Sequence, residues 1–274
     1  MLLGIDIGGT TTDIVGLDTK GLIDPLTVQA SDPVASAAGA LGKFVVDREV
    51  PLASIKKVAV TGVGAGRIGR DLLGINTVQV SEFTAVGIGG AYLSGMDRAI
   101  VVSMGTGTAV VYVDDGYIEH WGGTGVGGGT LIGLSKLAIG VSDFDIILKK
   151  AKDGDLSKVD LTIEDITQPE LMGMPANTTA SNFGRVADDA TDSDIARAIV
   201  NMICQTVGVV AAGAARAKAV DQIVVTGKTA VVPHAESTFQ RLGDLYGVTY
   251  SIPRFADFST AIGAAVSIST ELEG

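Results

Sequence analysis

Cysteine is nearly absent: Cys204 is the only one in 274 residues. One thiol excludes an intramolecular disulfide, a cysteine-rich zinc site and an iron–sulfur cluster held within a single chain. It falls in an apolar helical pattern, where a buried structural thiol is expected rather than a reactive one. Positive charge is also scarce. Twenty Lys and Arg against 31 Asp and Glu give a net charge of −11, which argues against a general nucleic-acid-binding surface. An anionic ligand would need local N–H groups, a metal ion and a few placed cations. No apolar run of the roughly 18 residues of a membrane helix is expected. No basic stretch precedes a long apolar one at the N-terminus, so no signal peptide is expected and the compartment is read as cytoplasmic. Neither a Pro/Ser linker nor a charge block marks a tethered domain.

Glycine, by contrast, is abundant, with 37 residues in a chain that is 46% hydrophobic. Short Ala-, Val- and Ile-rich segments suggest buried parallel strands with covering helices. The glycines gather behind these strand-like segments. Residues 2–17 read as a strand ending at Asp6, a turn at Gly8, Gly9 and Thr10, and a second strand. Such a turn lets backbone N–H groups approach an anion, because no Cβ intervenes. The following threonines, Thr11 among them, add hydroxyl donors, and Asp6 can hold a hydrated divalent cation beside a polyphosphate. The spacing is not that of a P-loop.

Further along, residues 32–48 read as a helix capped by Asp32 with Pro33 at its first position. A strand is predicted at 56–62, then a loop and short helix at 64–74. Residues 64–69 match G-x-G-x-x-G in isolation, without the repeated βαβ pattern of a dinucleotide fold. A strand over 76–83 runs into Glu82, and a helix of small residues follows at 84–95. Residues 98–123 form a second strand–turn–strand, in which Gly105-Thr106-Gly107 takes the place of Gly8-Gly9-Thr10. Two related lobes facing a cleft would produce this repeat. A glycine loop enters a helix at 123–140, and 142–153 look helical. Residues 154–177, with Pro169 and Pro175, read as an excursion. The longest helix is predicted at 191–219, then a strand and turn at 221–230, a helix at 233–247, a strand at 248–252 and a final helix at 258–268.

Four glycine turns therefore need one explanation: 8–10, 105–107, 127–130 and 227–228. The loop before the helix at 131–139 is a candidate phosphate or ribose cradle, since a helix N-terminus carries partial positive charge and free donors. Glu82 reads in two ways. It is a base placed to accept a hydroxyl proton during phosphoryl transfer, or an acidic residue that caps a helix or is simply solvated.

The segments GIDIGGT (4–10), EFTAVGIGGAYL (82–93), VSMGTGTAV (102–110), GGTGVGGGTLIGL (122–134), TASNFG (179–184), VDQIVVTG (220–227) and FSTAIGAAVSI (258–268) together resemble the type II, eukaryotic-like pantothenate kinases of the actin-like ATPase superfamily. The resemblance implies an α/β, two-lobed actin-like ATPase (ribonuclease H-like) fold, with duplicated mixed sheets flanked by helices. Its expected lobes are 1–96 and 97–274. It also implies a homodimer, MgATP as donor, and phosphorylation of pantothenate to 4'-phosphopantothenate, the first step of coenzyme A synthesis. Glu82 matches the catalytic carboxylate. Asp6, Gly8, Gly9, Thr10, Thr11 and Asp13 match the first phosphate loop, with Asp6 toward the metal, and Thr106 matches the second, near both substrates. Gly128, Gly129, Thr130, Leu131 and Ile132 match nucleotide contacts. Phe144 falls near the adenosine, and Gly227 and Lys228 form the adenosine turn. Ala180 and Asn182 belong to a segment near the acceptor.

Two positions depart from the family pattern. Asp13 stands where the family has Lys, and His120 where it has Arg. Arg67, Arg70 and Lys228 are candidate replacement cations. His120 reads equally as a substrate contact or as a strand-end residue packed beside Trp121. The alternatives are a related kinase for another small hydroxyl compound, and a catalytically impaired homologue that binds nucleotide or acyl-CoA. The helix at 194–218 is a candidate dimer interface, or else packs within the monomer.

Overall fold

A computed structural model of the chain describes residues 1–29, 32–167 and 174–269; Pro169 of the predicted excursion lies outside them. The fold is α/β, with two mixed sheets flanked by helices. The first sheet holds β1 (Leu2–Ile7), β2 (Thr11–Asp18), β3 (Gly21–Gln29), β4 (Lys57–Thr61), β5 (Asp71–Leu72) and β6 (Ile75–Gln79) in the order β3-β2-β1-β4-β6-β5. The second holds β7 (Arg98–Met104), β8 (Thr108–Asp114), β9 (Tyr117–Thr124), β12 (Gln222–Thr226) and β13 (Thr249–Ser251) in the order β13-β12-β7-β8-β9. The short pair β10 (Leu161–Thr162) and β11 (Thr179–Ser181) stands apart.

The predicted repeat extends well beyond its turns. In each sheet three consecutive strands pair antiparallel, β1-β2-β3 and β7-β8-β9. In each, two parallel strands then extend from the first, β4 and β6 or β12 and β13. The central strands are buried on both faces, so their sequences run apolar without alternating. Leu3, Ile5 and Ile7 of β1 pack toward α1 (Pro33–Asp47) around Phe44, while Leu2 meets Ala85 and Ala264 on the other side. Along β7, Ile100, Val102 and Met104 join the cluster around α6 (Asp192–Ala217); Ala99 and Val101 face Val86.

Between the sheets lie α2 (Glu82–Ser94) and α8 (Ser259–Ser267), packed tightly on each other. Each follows the last strand of its own sheet. Yet α8 covers β1, β2 and β4, while α2 covers β7 and β8. Small residues permit this: a Cβ on Gly89 would lie 2.0 Å from the Ser259 carbonyl, and one on Gly263 would lie 1.8 Å from that of Ala85. The predicted small-residue helix is thus a close helix crossing.

The remaining helices are α3 (Gly128–Ile139), α4 (Phe144–Lys152), α5 (Ile163–Ile166) and α7 (Ala235–Tyr246). α6 packs against α3, α4 and α7 on the outer face of the second sheet. Its apolar face is therefore occupied within the chain, and Cys204 is fully buried there, its thiol pushed up to about 12 by desolvation. One expectation needs correcting: α6 contains an uncharged stretch long and apolar enough, by length and composition, to cross a membrane. Two-thirds of that stretch is buried inside the fold, as in a core helix of a globular protein.

Local readings are also revised. Residues 98–123 form three strands rather than two, and β3 extends the first hairpin into a meander. The predicted strand 76–83 stops at Gln79, and Glu82 is the first residue of α2 rather than a strand end. An acidic residue in a helix's first turn is favoured by the helix dipole.

Candidate functional site

Three of the four glycine turns interlock at one end of the second sheet. The turn 105–107 joins β7 to β8. Its carbonyls receive the first amides of α3: Gly128 N–H donates to Gly105 at 2.8 Å, and Gly129 N–H to Thr106 at 2.9 Å. A Cβ on Gly127 would sit 2.7 Å from the Gly107 carbonyl oxygen, and one on Gly128 would sit 2.9 Å from the Thr229 hydroxyl. Gly227 has φ +90°, and a Cβ there would meet the Met104 backbone at 2.6 Å. Gly127 and Gly227 are required because backbones touch there, and no side-chain rearrangement relieves such contacts.

This contact changes the reading of the helix as a cradle. The amides of Gly128 and Gly129 are spent on the neighbouring turn. Thr130 caps the helix, accepting from Gly127 N–H at 3.2 Å and donating to the Gly125 carbonyl at 3.1 Å. Leu131 is fully buried and its N–H bonds Gly127, so it anchors the helix in the core. Ile132 and Phe144 pack partly buried against that core. Thr106 is exposed at the tip of its turn.

The first hairpin supplies the charge. Gly8 N–H closes the turn onto the Thr11 carbonyl at 3.0 Å, leaving Gly9 and Thr10 exposed at the tip. Asp6 and Asp13 face each other in the β1–β2 register. Gly62, at φ +85°, leaves room for Asp6: a Cβ there would lie 2.3 Å from Oδ1. Desolvation raises the Asp6 carboxyl from 3.8 to about 7, with Asp13 and then Glu82 adding to the rise and Lys228 opposing it. Glu82 is exposed at the start of α2.

Asp13 is not left as an uncompensated negative charge. It is almost fully buried, and Lys228 Nζ donates to its Oδ1 at 2.8 Å. Thr27 Oγ1 donates to the same oxygen at 2.6 Å and accepts from Lys228 at 3.2 Å. Arg67 and Arg70, the other candidate cations, are exposed. The Lys228 ammonium also lies 5.1 Å from the centre of the Phe258 ring. The fourth turn is thereby tied to the first hairpin. Thr27 and the half-buried Asp257, whose carboxyl is raised by burial, went unnoticed in the sequence. The signal for Lys228 was the charge reversal at position 13, which demands a nearby cation.

His120 stacks on Phe83, ring centres 3.7 Å apart and planes within 8°. Phe83 follows Glu82 in the chain, and both rings of the pair are exposed; the packing partner expected for His120 was Trp121. Ala180 and Asn182 belong to a different cluster. Asn182 Nδ2 donates to Asp160 Oδ2 at 3.3 Å and to Gln205 Oε1 at 3.2 Å, and Asn201 of α6 also donates to the buried Asp160 at 2.8 Å. Asp160, the centre of this cluster, carried no sequence signal. Among the described residues, no group of three or more His, Cys, Asp or Glu is arranged to hold a metal. A lone desolvated carboxylate suits a cation that keeps waters and takes phosphate oxygens, not an all-protein cage.

A family model described as Fumble matches residues 98–244. The type II pantothenate kinase of Bacillus anthracis is 31% identical over 238 residues, covering 83% of this chain and 82% of the relative. Two solved structures share the fold. One is the activator of the 2-hydroxyisocaproyl-CoA dehydratase from Clostridium difficile with bound ADPNP (TM-score 0.68, 18% identity, 99% of this chain and 95% of that one). The other is a ROK family glucokinase from Streptomyces griseus with glucose and AMPPNP (TM-score 0.65, 12% identity, 97% and 98%). With a family model spanning just over half its length and relatives of this identity over most of it, the chain belongs to the Fumble family, the type II pantothenate kinases.

Proposed function

We propose that the chain is a cytoplasmic, homodimeric kinase that transfers the terminal phosphoryl group of ATP to the primary hydroxyl of pantothenate, giving 4'-phosphopantothenate. The observation that supports this reading is the interlocking of three glycine turns, tied to the first hairpin by the Lys228–Asp13 bond, in a member of the type II pantothenate kinase family. The strands of two lobes, 1–96 and 97–274, would flank the cleft.

In this reading the exposed tips at Gly8, Gly9, Thr10, Thr11 and Thr106 offer amides and hydroxyls to the phosphates, and Gly227 borders the nucleoside. Glu82 accepts the hydroxyl proton as the oxygen–phosphorus bond forms and the bond to the ADP oxygen breaks. Asp6 would hold Mg²⁺ through water, and that ion would neutralise charge on the phosphates. Ala180 and Asn182 would border the acceptor, with His120 on the opposite wall.

The test is ADP release that saturates with pantothenate and disappears in Glu82→Ala. Wild-type protein that binds ATP yet releases no ADP with pantothenate removes the acceptor assignment. The stack of His120 on Phe83, the residue after Glu82, favours one second reading, a kinase for another small alcohol. Faster turnover of pantetheine or a simple sugar than of pantothenate would establish it. Tight binding of nucleotide or acyl-CoA without turnover of any acceptor would instead mark an impaired homologue.

A further inference from the structure

The cleft carries surplus negative charge before any nucleotide arrives. Asp6 faces Asp13 across the β1–β2 register, Asp13 and Glu82 add to the rise of the Asp6 carboxyl, and Lys228 opposes that rise and the one at Asp257. A triphosphate would bring several more negative charges to the same place, and like charges brought close together repel in a partly desolvated site. A donor site here needs a fixed cation.

Lys228 has the right placement and a donor to spare. It follows Gly227, whose contact with the Met104 backbone seats the start of the lysine's turn on the end of β7. Gly227 N–H bonds the Ala256 carbonyl at 2.8 Å, fixing the other side of that turn. From there the side chain crosses to the first hairpin. An ammonium has three N–H donors, and two are taken by Asp13 and Thr27. The third has no hydrogen-bond partner among the described residues, and a third of the side chain remains exposed. Asp13 is buried and held by Thr27, so it fixes the ammonium at the turn end of the hairpin whose tip is Gly8-Gly9-Thr10.

We propose that Lys228 is the phosphate-binding cation of the donor site, delivered from the second lobe onto the first hairpin, with Asp13 and Thr27 as its positioning residues. This rests on the reading of the chain as an ATP-dependent kinase but not on the identity of its acceptor. The aspartate at position 13 is then part of a relocated cation site: the positive charge comes from the opposite wall of the cleft. The ligand group it recognises is the terminal part of a nucleoside polyphosphate.

The experiment measures calorimetric affinity of the full chain for AMPPNP, ADP and adenosine, each with Mg²⁺. Lys228→Ala should weaken AMPPNP by about tenfold or more, as expected for loss of a charge-assisted hydrogen bond. ADP should weaken less, and adenosine should be unchanged. Lys228→Met keeps an unbranched stem without the charge and should repeat the pattern if the alanine variant does not fold. Adding Asp13→Lys to Lys228→Ala should restore part of the AMPPNP affinity, which a purely structural ion pair would not allow. Equal loss for all three ligands, or unchanged AMPPNP affinity, overturns the proposal while leaving the kinase reading intact. Wild-type protein that binds AMPPNP but does not phosphorylate pantothenate removes the acceptor and leaves the proposal standing. Wild-type protein that binds no nucleotide overturns both.

Discussion

The two hairpins β1–β2 and β7–β8 have the same topology and opposite chemistry. The first pairs Asp6 with Asp13 and is tied to the turn at Gly227 by side chains, through Lys228 and Thr27. The second pairs Met104 with Thr108, bears no charge at its turn, and is tied by backbone to α3 and to the turn at Gly227. Backbone contacts fix position at the cost of free donors, because an amide bonded to a carbonyl is no longer available to a ligand. Side-chain ties leave the Gly8-Gly9-Thr10 tip exposed. In the proposed chemistry the difference separates a reactive wall from a supporting wall within one duplicated frame.

The sharpest test of that division lies in the reactive wall. Glu82→Gln should lower kcat by about 10²–10⁴-fold with little change in melting temperature, since a general base contributes on that scale. Steady-state kinetics beside a thermal melt checks both halves; a large loss of stability would place Glu82 in the support instead. Gly127→Val attacks the other wall. Its Cβ would press on the Gly107 backbone, which cannot yield as a side chain does. Destabilisation by about 3 kcal/mol or more is expected in urea unfolding, with nucleotide binding lost alongside.

A third test uses pH. The Asp6 carboxyl is raised from 3.8 to about 7 in the folded chain, mainly by desolvation. Between those values the folded state retains a proton that the unfolded chain has released. Stability contributed by Asp6 is therefore present below about pH 4 and falls as pH rises toward 7. Asp6→Asn should remove this slope. Melting temperatures of the two proteins should converge at low pH, with the variant ahead above about pH 7. Parallel curves would show that Asp6 is not desolvated in the free protein. The smallest effect belongs to Thr108→Val in the second hairpin. It removes the hydroxyl donated to the Val126 carbonyl at 2.8 Å and should cost about 1 kcal/mol in unfolding.

The sequence alone carried the strand–glycine–strand repeat, the apolar runs of strands buried on both faces, and the glycine turns. These are local signals: a turn needing close backbone approach must use glycine, and a doubly covered strand must be apolar throughout. Asp32 at the cap of α1 and the buried Cys204 were legible for the same reason. Only tertiary structure decided which groups meet. The pairing of Asp13 with Lys228 spans 215 residues. The use of the Gly128 and Gly129 amides by the turn at 105–107, and the exchange of α2 and α8 between the sheets, depend equally on distant packing. Neither periodicity nor composition encodes such partners, because chain separation says nothing about distance once the two sheets face each other.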